Sequence, residues 1–443
     1  MAIVTVVGAS GTHVQVTVDG GQTQRLAQEY ATSIQNAFSG GTLDVVDLAP
    51  GSNQFASSAM STVQGQITVG GSYTLNGSYT NVAVGALASN DSPVTPLNGQ
   101  VTINAAGSTG SSLSILTGNQ GNTDVTVGNQ SGTFVAAAGT NAFHGGDSTG
   151  DWQIATGAGT TNTLSLGTGA NYVASEGHDT IDGAAGGTDT VTLIGGSSLV
   201  SLQQNAAVVD LSTGNNISVG DNSTVFGGSG SSANFTGDSS TIVGALGDTI
   251  SAASSLQVIH GSNNDISVSG NLSFLNGTGT TTIAAGNATI FGASGLNAIT
   301  STMSSPALFV GNEGPETVNG ASSTSALHAF AGSGNDVLIG GSASDTLVGG
   351  VGNATLTGGS GASNLFAITK DHAGGNYTIT DFGSAAGNIT ALYNYGLQNN
   401  NGLQSVLNNA TVAGGNTTIQ LSDNSKITFV GVTDLKASDF NLS

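Results

Sequence analysis

Asp336 and Asp345 each stand at the sixth place of a nine-residue unit that opens on small residues, in a chain where only 7% of residues are charged. Four such units run in tandem from Ala331 to Phe366: AGSGNDVLI, GGSASDTLV, GGVGNATLT and GGSGASNLF. The shared pattern, G-G-x-G-x-D-x-hydrophobic-x, is the sequence form of a parallel β-roll that holds Ca²⁺ in its turns. A hard cation takes oxygen ligands, which turn carbonyls and a carboxylate supply, while glycine admits the left-handed backbone of a tight turn. The candidate metal-site positions are therefore Gly332, Gly334 and Asp336; Gly341, Ala343 and Asp345; Gly350 and Gly352; Gly359 and Gly361. Asp179 and Asp189, among Gly177, Gly183, Gly186 and Gly187, extend the set as degenerate half-sites. Asp248 and Asp265 are read instead as aspartates that bond their own turns.

Other chemistry finds less support. Gly146-Asp147-Ser148-Thr149-Gly150 fits G-x-S-x-G, but it lacks the strand before and helix after that a nucleophile elbow needs. His144, Asp147 and Asp151 could join at a metal, although a polar loop explains them as simply. His260 is read as a residue at a strand edge, and Trp152 as a side chain packed under a loop. Glu313 and Glu316, beside Asn312, are the nearest approach to a pair of catalytic carboxylates. No Arg or Lys lies close to them, and aromatic residues make up 5% of the chain, so no enzymatic role is expected.

These residues need elements to position them. From about residue 100 to 385 the chain is a series of short apolar beats: Ile217, Val225, Phe235, Ile242, Ile250, Val258, Ile266, Phe274, Ile283, Ile290 and Ile299. Intervals of seven to ten residues suit strands of three to five residues joined by turns, whereas an amphipathic helix repeats every three or four. A set of β-sandwiches would have longer strands and less uniform turns. The expected fold is thus mainly β, a β-solenoid grading into a parallel β-roll. Residues 1–98 read as a small α+β assembly or capping domain. It has strands at Ile3 to Val7 and Val14 to Val18, and an amphipathic helix carrying Leu26, Tyr30, Ile34 and Phe38. Residues 99–366 form the solenoid, with the β-roll at 331–366. Residues 367–443 form a C-terminal β cap with strands at Thr417 to Leu421 and Lys426 to Val430.

The nonapeptide run resembles the RTX, or repeats-in-toxin, proteins of Gram-negative bacteria, which leave the cell by type I secretion and fold on calcium outside it. In that family one coil takes two nonapeptides, which implies that Asp336 faces Ala354 and Asp345 faces Ser363, with one carboxylate per site. The C-terminal segment is similar to the uncleaved secretion signal of such proteins. The start, MAIVTVVGASG, lacks the basic and apolar regions of a cleaved signal peptide, and no segment reaches the ~20 apolar residues of a membrane span. With no His-Glu-x-x-His, the chain departs from the RTX metalloproteases. Acidic residues outnumber basic ones 26 to 4, which excludes a nucleic-acid footprint and points to divalent cations as partners and as glue between copies. Without cysteine, rigidity must come from repetition, metal or assembly. The expected function is a secreted calcium-binding structural protein at the cell surface, self-assembling head to tail into a layer or matrix filament. The alternatives are an adhesin-like module for surface polysaccharide and, further off, a β-helix lyase or hydrolase.

Overall fold

A computed structural model describes residues 2–55, 59–89, 92–303, 305–360, 363–370, 374–385, 387–398 and 401–442. The chain is mainly β, with parallel solenoid coiling of about 17 turns, as its beat spacing predicts. It divides into two compact units, Met1–Gly237 and Asp238–Ser443.

In the first unit, each coil contributes one short strand to each of two faces, and every second beat returns to the same face. One face stacks Ile154, Val173, Val191, Val208 and Val225 in parallel register. The other stacks Leu164, Ile181, Val200 and Ile217. All nine are shut off from solvent, so the two faces enclose one narrow apolar interior. β-branched side chains suit this pleated, fully buried environment. The second unit repeats the plan with Ile242, Val258 and Phe274 on one face, and Val318, Leu338, Leu356, Ile379 and Phe429 on the other. One beat is displaced by a residue: Ala298, not Ile299, is the buried side chain that pairs with Val318.

Strands β1 (Ala2–Val7) and β2 (His13–Val18) pair antiparallel with Val4 opposite Val16, and Ala86–Ala88 adds a third strand. Helix α1 (Gly21–Ser39) covers this sheet. Val4, Val6, Val14, Val16, Leu26, Tyr30 and Ile34 meet Ala83, Leu116, Val135, Ala137 and Ala155 in one buried cluster. Ala83, Leu116, Val135 and Ala155 lie on strands of the coils and Ala137 just past one, so the sheet and helix are clipped to a flank of the solenoid. Parallel coiling already begins at β3 (Leu43–Asp47), which pairs with Thr62–Ile67, and β4 (Gly51–Phe55), which pairs with Gly71–Gly77.

At the C-terminal side of the second unit, Asn416–Gln420 and Lys426–Phe429 form the antiparallel hairpin read from the sequence, turning at Asn424 in a left-handed conformation. Lys426–Phe429 also runs parallel to Asn376–Ile379, and Phe440–Leu442 to Ile389–Tyr393, so both continue the coils. A short helix, α2 (Gly402–Asn408), precedes the hairpin; nothing in the apolar spacing announced it.

Candidate functional site

The four candidate aspartates are all buried. Asp179, Asp189, Asp336 and Asp345 are each at most 2% exposed, a burial that ionisable groups tolerate only when bonded. Each finds its bonds in the backbone or side chains of an adjoining coil. Asp336 accepts the Glu316 N–H of the coil before it at 3.0 Å through one oxygen and the Gly332 N–H of its own turn at 2.8 Å through the other. Asp345 does the same with Leu327 at 2.7 Å and Gly341 at 2.8 Å. Asp179 accepts the Thr156 and Ser175 hydroxyls at 2.5 and 2.6 Å, and both the backbone and side-chain N–H of Asn162. Asp189 accepts the Asn171 side-chain amide at 2.9 Å.

These contacts belong to a longer pattern. In the first unit the Asn141 N–H bonds Asn162 Oδ1, Asn162 bonds Asp179, Asp179 bonds Ser198 Oγ, Ser198 bonds Asn215 and Asn215 bonds Ser231, one link per coil at 2.9–3.2 Å. In the second unit Leu327, Asp345, Asn364 and Asn388 form the same chain at 2.7–2.9 Å. A turn N–H buried between coils has no water to bond, and an Asn, Asp or Ser oxygen one coil on satisfies it. Aspartate at the sixth place of the repeat is one member of this ladder, in the position that Asn and Ser take in other coils.

The pairing expected from the nonapeptide phase is met at the first coil, where Asp336 lies opposite Ala354. It shifts at the second: Thr346 pairs with Leu365, so Asp345 meets Asn364 rather than Ser363. That coil is one residue longer. The glycines also need a different explanation. Gly361 lies outside the described residues and Ala343 is half-buried; of the six other candidate glycines, only Gly359 has a left-handed φ, of +88°. The rest keep ordinary backbone and are required by the close stacking of coil on coil. A Cβ on Gly334 would sit 1.9 Å from the Gly314 carbonyl oxygen, and one on Gly352 2.0 Å from that of Gly334.

Glu316, whose sequence position suggests half of a carboxylate pair, heads the Asp336 column instead. Residues 311–319, GNEGPETVN, follow the nonapeptide phase with Glu at the sixth place, a signal that the proline and the substituted acid obscure. Its carboxylate, 2% exposed, accepts the Asn312 N–H at 2.9 and 3.1 Å through its two oxygens. Glu313 is exposed, so the two do not converge. Burial raises the Glu316 pKa to about 6, offset in part by the Asn312 bonds and added to by the Asp336 charge. Burial likewise pushes Asp179, Asp189, Asp336 and Asp345 above the ordinary carboxylate range, against the hydrogen bonds that hold them down.

For a bound cation the fit is poor. Amide hydrogens, positive ends of dipoles, point at both oxygens of Asp336 and of Asp345, where a metal would need them free. Among the described residues no three His, Asp or Glu side chains gather at one point. His144 pairs instead with Asp124 at 3.1 Å, and Asp151 accepts the Ala170 N–H at 2.8 Å. Ser148 is 3% exposed and its hydroxyl accepts the Gly150 N–H at 3.3 Å. Trp152 is interior, edge-on to Phe143 with ring centres 5.1 Å apart. Among the described residues no helix is long and apolar enough to cross a membrane. Comparison with family models, curated proteins and solved structures finds no match for this chain.

Proposed function

We propose that this protein is an extracellular structural element that self-assembles into a surface layer or matrix filament of a Gram-negative bacterium, exported with the RTX type of C-terminal signal. The observation that carries this reading is the internal ladder. Its Asn, Asp and Ser side chains, the most chemically capable in the repeats, are consumed in bonding one coil to the next. Such a ladder makes coils rigid and leaves their stacking edges as the obvious means of growth. Calcium enters this reading through the charge of the whole chain, −22, which copies must neutralise before they can approach. Electron microscopy of the purified full chain in calcium and then in chelator tests it: regular particles that dissolve in chelator are expected, and a monomer under every condition would overturn it.

A specific surface favours a second reading, the polysaccharide-binding module. Asn353 donates to Asn335 at 2.7 Å and accepts the Asn376 N–H at 2.8 Å, which aligns an exposed file of amides beside the Thr355 and Thr378 hydroxyls. Flat polar arrays of this kind suit a polymer rich in hydroxyl groups. Binding to a glycan array by a protein that stays monomeric would favour it.

A further inference from the structure

The two sheet faces of the second unit differ at one outward position. Val243, Ile259 and Leu275 stack in parallel register, each just after a buried inward residue of its strand. Phe291, Val310, Phe330 and Val348 stack in the same way. Gly286 lies against Ser269 and Gly270 as Gly270 lies against Ser254, so the sixteen-residue step that joins Ile259 to Leu275 also joins Leu275 to Phe291. The result is an apolar file on the outside of successive coils, with Phe291 and Phe330 both 41% exposed. On the other face the same place is held by Ser251, Ser267, Asn319 and Thr357, interrupted by Ala284, Ile299 and Ile339. An inner core needs no such outward side chains, and a contiguous exposed apolar run marks a contact surface.

The first unit shows this outward position already in use. There Leu116, Val135 and Ala155 follow inward residues in the same way and in register, and the chain's own helix and sheet pack on them. We infer that the file from Val243 to Val348 is a lateral interface between two copies of this chain, packed file on file about a two-fold axis at Phe291. Two features select a second copy. Neither the file nor the outward column beside it, from Thr241 to Thr346, holds any of the chain's 26 acidic side chains. Copies with a net charge of −22 can approach here with little local repulsion, and a charged partner finds nothing to pair with. The file also repeats at the strand spacing of ~4.8 Å over roughly 30 Å, a period that the same file on a second copy matches side chain for side chain. Antiparallel alignment about Phe291 sets Ile259 opposite Phe330 and Leu275 opposite Val310, which covers the whole run. This contact is lateral, so it adds to the end-to-end growth of the assembly reading and does not depend on it.

The chain has no cysteine, so a single introduced one reports the contact. Full-length Phe291→Cys, treated with a bismaleimide spanning about 10 Å, the separation of packed sheets, should give cross-linked dimer. Its yield should be about tenfold or more that of Thr249→Cys, an exposed position on the other face. Concentrated sodium chloride should raise the yield, because it screens repulsion between copies and leaves an apolar contact intact. Adding Phe330→Glu should return the yield to the control level. If Phe291→Cys does not fold by circular dichroism, a mixture of Leu275→Cys and Val310→Cys, opposed across the axis, carries the same test. A yield no higher than that of Thr249→Cys, or one that survives Phe330→Glu, would overturn the inference. In the first case, pelleting of the chain with insoluble cellulose that Phe330→Glu abolishes would give the file to a polysaccharide instead. Strong cross-linking without larger particles would overturn the assembly reading and leave this contact standing; particles without cross-linking at Phe291 would do the reverse.

Discussion

Asp345 is a buried acceptor shared by two coils, and its replacement tests that role directly. In Asp345→Asn one of the two amides at Leu327 and Gly341 faces an NH₂ group instead of an oxygen, which leaves a buried donor unsatisfied. The expected cost is about 1–3 kcal/mol. It should appear as faster hydrogen exchange at Leu327 and Gly341, while Asp147→Asn on an exposed turn changes nothing. Glu316 gives a second test, through pH. Its folded pKa of about 6 lies above its unfolded value, so the folded state binds the proton more tightly. Its contribution is then most favourable below the unfolded pKa and is lost as pH rises through about 6. The second unit should resist denaturant better at pH 5 than at pH 7, by about 1 kcal/mol from this group. The other buried carboxylates act in the same direction. Glu316→Gln keeps an acceptor for Asn312 and should flatten the profile across that window; an unchanged slope would show that the group does not titrate as its burial dictates.

Helix α1 shows what the sequence reveals of an element and what it hides. Its four-residue spacing of Leu26, Tyr30, Ile34 and Phe38 marked the helix, yet Phe38 is 58% exposed, and the apolar stripe that docks is made by Leu26, Ala27, Tyr30 and Ile34. Nothing local explains how the helix begins. Its first residues, Gly20 and Gly21, offer no side-chain cap; the carboxylate of Glu176, from a turn of the solenoid, accepts the Gln22 N–H at 2.8 Å. A cap from so far along the chain is invisible to spacing, as is the ladder, because an Asp that bonds an amide and one that binds calcium occupy the same place in a turn. The apolar beats were legible because the two-face interior allows few substitutes for Ile, Val, Leu and Phe. Two outcomes follow at this scale. Glu176→Ala should cost α1 about 0.5–2 kcal/mol, in line with lost caps elsewhere. Ile34→Ala should cost about 2–5 kcal/mol and release the helix and its sheet, with the coil strands staying protected from exchange. Val14 and Val16, both fully buried in that cluster, would report on the same docking if replaced by Lys, and not on contacts between copies.

At the scale of the whole molecule, the proposed assembly makes charge the factor that decides how copies meet. A chain with 26 acidic and 4 basic side chains repels its neighbours at neutral pH, and no local contact can act until that repulsion is reduced. Two mechanisms could bring calcium into the assembly, and they respond differently to other ions. A site built into the turns would discriminate by size and ligand number, so calcium would work and magnesium, which demands a tighter octahedral shell, would not. General neutralisation would accept either divalent ion, and would respond to monovalent salt once the Debye length falls to ~3 Å near 1 M. The amides that occupy Asp336 and Asp345 favour the second mechanism. Assembly should therefore proceed in magnesium at concentrations within a few-fold of calcium, a difference of less than about 1.4 kcal/mol, and should be promoted by concentrated sodium chloride. Light scattering of the full chain across the three salts reads the outcome. Assembly in calcium alone, indifferent to magnesium and to ionic strength, would require the turns to exchange their backbone donors for metal, and would return the nonapeptide carboxylates to the role their spacing first suggested.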